Sequence, residues 1–129
     1  MDDAVVLDAS ALLAYLHGEP GGGHVRPLLD GAAISSVNWS EVVQKSLAHG
    51  VDVVGLREEL ESFGLHIVDF TATDAEDAAN LWSHTRQLGL SLADRACLAL
   101  GRRLGVTVAT ADHSWTALPG EVASVRSIR

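Results

Sequence analysis

At 129 residues the chain has the size of one domain, and its 47% hydrophobic content is enough for a real core but its length is too short for two. Charged residues at 20% exclude a disordered composition, and the lone Cys97 excludes an intramolecular disulfide framework or a cysteine-built metal centre, which fits a reducing cytoplasm. The formal charge of −8 argues against a broad basic surface of the kind that holds nucleic acid without help.

Asp2 and Asp3 lead directly into the first apolar run, without the basic leader of a secretory signal, and no apolar stretch is long enough to span a bilayer. Val5-Val6-Leu7 reads as a strand. Ala9, Leu12, Leu13 and Leu16 then follow helical spacing, and Gly21-Gly22-Gly23 after Pro20 reads as a turn. A second strand at Ala33-Ile34-Ser35 precedes a helix carrying Trp39, Val42, Val43, Ser46 and Leu47 on one face. Val53 to Phe63 is expected to be helical, and Leu65-His66-Ile67-Val68 is the third strand. Thr73, with Glu76 three residues later, predicts a capping box for a helix through Ala75, Ala78, Ala79 and Trp82. Leu90-Ser91 opens the next helix, whose core stripe is Ala93, Ala96, Cys97, Leu100 and Leu104, with Gly105 placed to end it. Val106-Thr107-Val108-Ala109 is the fourth strand, and a weaker one is expected at Val122 to Val125. Strands alternating with helices predict a central parallel sheet flanked by helices, a three-layer α/β fold in a single domain over 1–129.

In such sheets ligands collect at the carboxyl ends of strands. Asp8 directly follows the first strand, Glu41 begins the helix after the second, Asp94 opens the helix before the fourth, and Asp112 follows the fourth. Together these acids would suit a hard cation such as magnesium or manganese, and such ions activate water at phosphoryl groups. If all four hold metal, half of the net charge is accounted for, and bound ions would reverse the local field. Each acid also has a purely structural reading. Asn38 with Glu41, and Ser91 with Asp94, match capping boxes, while Asp8 and Asp112 suit turns.

In order and spacing, four segments resemble PIN-domain toxins of the VapC type: Val5 to Leu16 around Asp8, Ser36-Val37-Asn38-Trp39-Ser40-Glu41-Val42, Leu90-Ser91-Leu92-Ala93-Asp94-Arg95-Ala96, and Ala109-Thr110-Ala111-Asp112. The resemblance spans nearly the whole chain. It implies a PIN fold, magnesium- or manganese-dependent endoribonuclease activity with one or two ions, a VapB-type antitoxin partner and a homodimer. Carried onto this sequence, Asp8, Asp94 and Asp112 become metal ligands and catalytic residues, and Glu41 a ligand or water-orienting group. Ser10 and Thr110 become the hydroxyls that hold the carboxylates. Many relatives carry another acid soon after the fourth, where His113, Ser114 and Trp115 stand here, which puts a second ion in question.

The histidines show no metalloprotease pairing and read as surface or satisfied residues; His113, next to Asp112, could touch a phosphate, but a loop position with no role is the preferred reading. Trp39 and Trp82 read as packing residues, whereas Trp115 suits packing and base stacking equally. Cys97 reads as a buried thiol. Arg95, Arg102 and Arg103 read as solvated helix charge or as a basic patch, and Leu12, Leu13, Leu16 and Val53 to Leu60 offer a hydrophobic partner surface. A dehalogenase-like phosphatase would need an aspartate where Ser10 stands. Cleavage of DNA by the same acids, or a PIN-like scaffold without catalysis, are the alternative functions.

Overall fold

The structure, a computed structural model, describes residues 4–129; Asp2 and Asp3, which carry the leader reading, lie outside the described residues. Strand β1 (Val5–Leu7) is central in a five-stranded sheet of order β3-β2-β1-β4-β5, with β2 at Ala33–Ser35, β3 at His66–Val68, β4 at Thr107–Thr110 and β5 at Val125–Ser127. The pairings are parallel, and Val6 lies opposite Val108 on one side and Ala33 on the other. Parallel neighbours require crossovers, and helices supply them. Helix α1 (Ala9–His17) and two 3-10 turns return the chain to β2, and α2 (Ser36–Ala48) and α3 (Leu56–Ser62) return it to β3. Then α4 (Ala72–Asn80), α5 (Trp82–Thr85) and α6 (Leu92–Leu104) lead to β4.

The period of two along each strand divides the core into layers. Val5 and Leu7 face a cluster with Leu12, Val42 and Leu60, whereas Val6 faces one with Leu98, Leu100 and Trp115. This is the three-layer α/β architecture expected from the sequence. Among the described residues no helix is long and apolar enough to cross a membrane.

Several local expectations are corrected. The capping box of α4 is formed by Thr71 and Asp74, not Thr73 and Glu76, because Asp74 is buried and also receives Arg103 from α6 at 2.9 Å. Helix α4 ends at Asn80, so Trp82 leaves its stripe and stands 52% exposed, with Arg86 over its ring. Asn38 does not cap α2: Ser35 does, and Asn38 lies buried within the helix. The last strand is Val125–Ser127, because Val122 and Ala123 pack into the core before the chain reaches the sheet edge. Leu12 and Leu13 are buried and offer no partner surface, while Leu47 and Val54 are exposed.

Helix α6 packs closely against the sheet. Gly105, at φ 70°, ends it in the left-handed conformation that glycine adopts without strain. Gly101 lies against β4 so closely that an added Cβ would stand 2.5 Å from Cγ2 of Val108. Gly101→Val is therefore expected to lower stability by about 1–3 kcal/mol through overpacking, read as a shift in the urea midpoint. An unchanged midpoint would mean that α6 can move off β4 without cost.

Candidate active site

The first two crossovers carry the chain from β1 to β2 and β3, and the last returns it to β4 on the other side of β1. This reversal leaves a crevice beyond the carboxyl ends of β1 and β4, where ligands bind in sheets of this kind. Asp8 is the first residue after β1, and Asp112 comes two residues after β4.

Asp8 is held on both of its oxygens. Its Oδ1 accepts hydrogen bonds from the Ser10 hydroxyl at 2.7 Å and the Ala11 amide at 2.8 Å, which also caps α1. Its Oδ2 accepts one from Thr110 at 2.6 Å. The Ala111 amide donates to Ser10 Oγ and the Asp112 amide to Thr110 Oγ1, each at 3.0 Å, so the loop after β4 is tied to the same network.

The other acids are tethered on one oxygen only. Glu41 Oε1 receives Asn38 Nδ2 at 3.4 Å, and Asn38 reaches on to the Ala93 carbonyl, linking α2 to α6. Asp94 Oδ2 receives the Ser91 amide at 2.9 Å in the expected capping box. Asp112 Oδ1 receives the amide and hydroxyl of Ser114. Among the described residues Glu41 Oε2, Asp94 Oδ1 and Asp112 Oδ2 carry no hydrogen bond. All four carboxylates line one open cleft of about 100 Å³. Hollows of about 470 and 430 Å³ flank α6, but neither contains any of these four acids.

Burial pushes the Asp8 pKa up from 3.8 to about 6 despite its three donors, and the charge of Asp94 adds to the rise. Burial also raises the Cys97 thiol, with Asp8, Asp94 and Glu41 contributing, so the expected buried thiol lies near the acids but is not nucleophilic. An all-carboxylate donor set with unpaired oxygens fits a hard divalent cation. Among the described residues no three such side chains stand close enough to enclose an ion as they lie. Closing on one requires rotation of the partly exposed Glu41 and Asp94 and the exposed Asp112 around the fixed Asp8.

Trp115 lines the cleft but is buried in the core, so it packs, and among the described residues its Nε1 has no partner. The arginines of α6 form no free basic patch: Arg103 pairs with Asp74, Arg95 binds the Ala78 carbonyl and Arg102 the Glu121 carbonyl. Among the described residues no histidine lines the cleft, and His113 is exposed. Lys45, which sequence reasoning missed, does line it. The available signal was its position four residues after Glu41, on the same face of α2.

The PIN domain family matches residues 5–121. No curated protein sequence matches the chain. The fold is similar to that of a toxin–antitoxin complex from Klebsiella pneumoniae, with a TM-score of 0.75 and 19% identity over 97% of this chain and 98% of that one. It is also similar to DNA-bound VapBC from Salmonella typhimurium (TM-score 0.66, 15% identity, 100% of each chain). A member of the VapBC family of toxin–antitoxin systems from Mycobacterium tuberculosis is similar as well (TM-score 0.58, 22% identity, 99% of each chain). At these identities the likeness is one of fold.

Asp8 also sets a pH signature. Because its folded-state pKa of about 6 lies above the ordinary 3.8, the folded chain keeps a proton that the unfolded chain has lost. Its contribution to stability is therefore full below about pH 4 and is lost as pH rises through about 6. In chelator at pH 7.5, Asp8→Asn is expected to be more stable than the native chain by up to about 3 kcal/mol, and this gain should shrink at pH 4. Urea titrations at both pH values check this; a variant destabilised equally at both would mean that the donors keep Asp8 ionised without penalty.

Proposed function

The chain belongs to the PIN domain family, and on that premise we propose that it is a metal-dependent endoribonuclease, the toxin of a type II toxin–antitoxin pair, hydrolysing RNA phosphodiester bonds. The carrying observation is the convergence of Asp8, Glu41, Asp94 and Asp112 on one cleft at the β1/β4 crevice. Among the described residues three of the four have an oxygen without a hydrogen bond.

In this reading Asp8 is the fixed ligand, oriented by Ser10 and Thr110. Asp94 and Asp112 turn their free oxygens toward the same ion, and Glu41 serves as a ligand or orients the attacking water. A bound magnesium or manganese ion supplies acidification of water and neutralisation of charge at phosphorus. The chain's own part is to align the phosphodiester for in-line attack and to keep the ligands in place. The likeness to toxin–antitoxin and VapBC complexes supports an antitoxin protein as partner, and a homodimer in the cytoplasm is the assembly we propose for this single domain.

Purified protein incubated with total RNA is expected to give discrete fragments in magnesium or manganese and none in chelator. Asp94→Asn should abolish cutting. Thr110→Val, which removes only the hydroxyl that orients Asp8, should reduce it about 10- to 100-fold. If a folded native chain leaves RNA intact in both metals, the reading fails for RNA, and cleavage of single-stranded DNA by the same preparation would redirect it to the DNA alternative.

A further inference from the structure

We propose that Lys45, resting on the nuclease reading above, is the residue that binds the substrate phosphate in the acid cleft. It is the only lysine in the chain, and it lines the same cleft as Asp8, Glu41, Asp94 and Asp112. A Glu followed by a Lys four residues later on a helix is the order that normally closes into an ion pair. Here, among the described residues, Lys45 forms no ion pair with any carboxylate: the pairs present are Arg57 with Glu61, Arg103 with Asp74, and Arg129 with Glu19. Glu41 is instead engaged by Asn38.

Lys45 therefore lines the cleft with its ammonium uncommitted, among the described residues, to any of the carboxylates there. A phosphodiester brings its own negative charge into this space, in a chain whose formal charge is −8 and whose α6 arginines are tied to Asp74 and to backbone carbonyls. A compact ammonium with three donors on a flexible stem suits a non-bridging phosphate oxygen. Lys45 is exposed and on the solvent side of α2, so its removal leaves the core intact. A merely solvated helix lysine would show none of the dependence on RNA that follows.

The test compares the native chain with Lys45→Met and Lys45→Arg, each verified as folded by circular dichroism. A fluorescein-labelled single-stranded oligoribonucleotide is titrated by anisotropy in calcium across a range of salt. Lys45→Met should bind at least about 10-fold more weakly, as expected for loss of a hydrogen bond to a charged group. Its slope of log affinity against log salt should be shallower by about 0.7, the value of one single-strand phosphate contact. Lys45→Arg should keep the native slope. Native affinity and slope in Lys45→Met would overturn the proposal while RNA cleavage by the native chain still upheld the nuclease reading, and equal losses in Lys45→Arg would also overturn it, because charge would not be responsible. A native chain that neither binds nor cuts RNA would overturn both.

Discussion

A carboxylate buried at the end of the central strand needs hydrogen-bond donors, since an unpaired charge in that position would be prohibitively costly. Asp8 obtains them from its own helix through Ser10 and the Ala11 amide, and from β4 through Thr110. Satisfying this one group fixes the start of α1 and fastens the ends of β1 and β4 together. It also orders the loop that carries Asp112, whose amide bonds to the same Thr110 hydroxyl. Three donors do not fully offset burial, and the raised pKa of Asp8 is what remains of the desolvation cost. A cation would relieve that cost, so the desolvation that raises the Asp8 pKa would also favour an ion beside it.

Cap and ligand are compatible roles for an aspartate because a carboxylate has two oxygens. Asp94 closes its capping box with one oxygen, and Asp112 binds Ser114 with one, leaving the second of each unpaired. In the proposed site, a cap that also served as a ligand would have its position set by the backbone of the helix terminus and not by a flexible side chain alone.

Positive charge is distributed asymmetrically around this arrangement. On α6, Arg103 is committed to Asp74, and Arg95 and Arg102 bind carbonyls, so these cations brace the helix against α4 and the segment before β5. Among the described residues the acid cleft is left with Lys45 as its only basic side chain. Four carboxylates beside one lysine leave the cleft acidic, so an anionic polymer would meet a favourable local field there only with bound cations, to which Lys45 would add one positive charge.

The sequence by itself determined the layer architecture, because strand and helix periods differ and both are written in apolar spacing. It also marked the strand ends carrying Asp8 and Asp112 and the helix start at Asp94, whereas Glu41, expected to begin its helix, lies in the second turn of α2, which Ser35 caps. Gly105 was legible as a helix stop for the same local reason. Contacts across the chain decided the rest. Thr71 and Asp74 form the α4 cap because Arg103, distant in sequence, draws Asp74 inward. Trp82 lies outside the core because the helix ends before it, and Trp115 lies inside because the turn after Asp112 folds back onto the sheet. The cleft is the clearest case: spacing marked its acids one at a time, but their convergence with Lys45 depends on the strand order around β1, which no local pattern encodes.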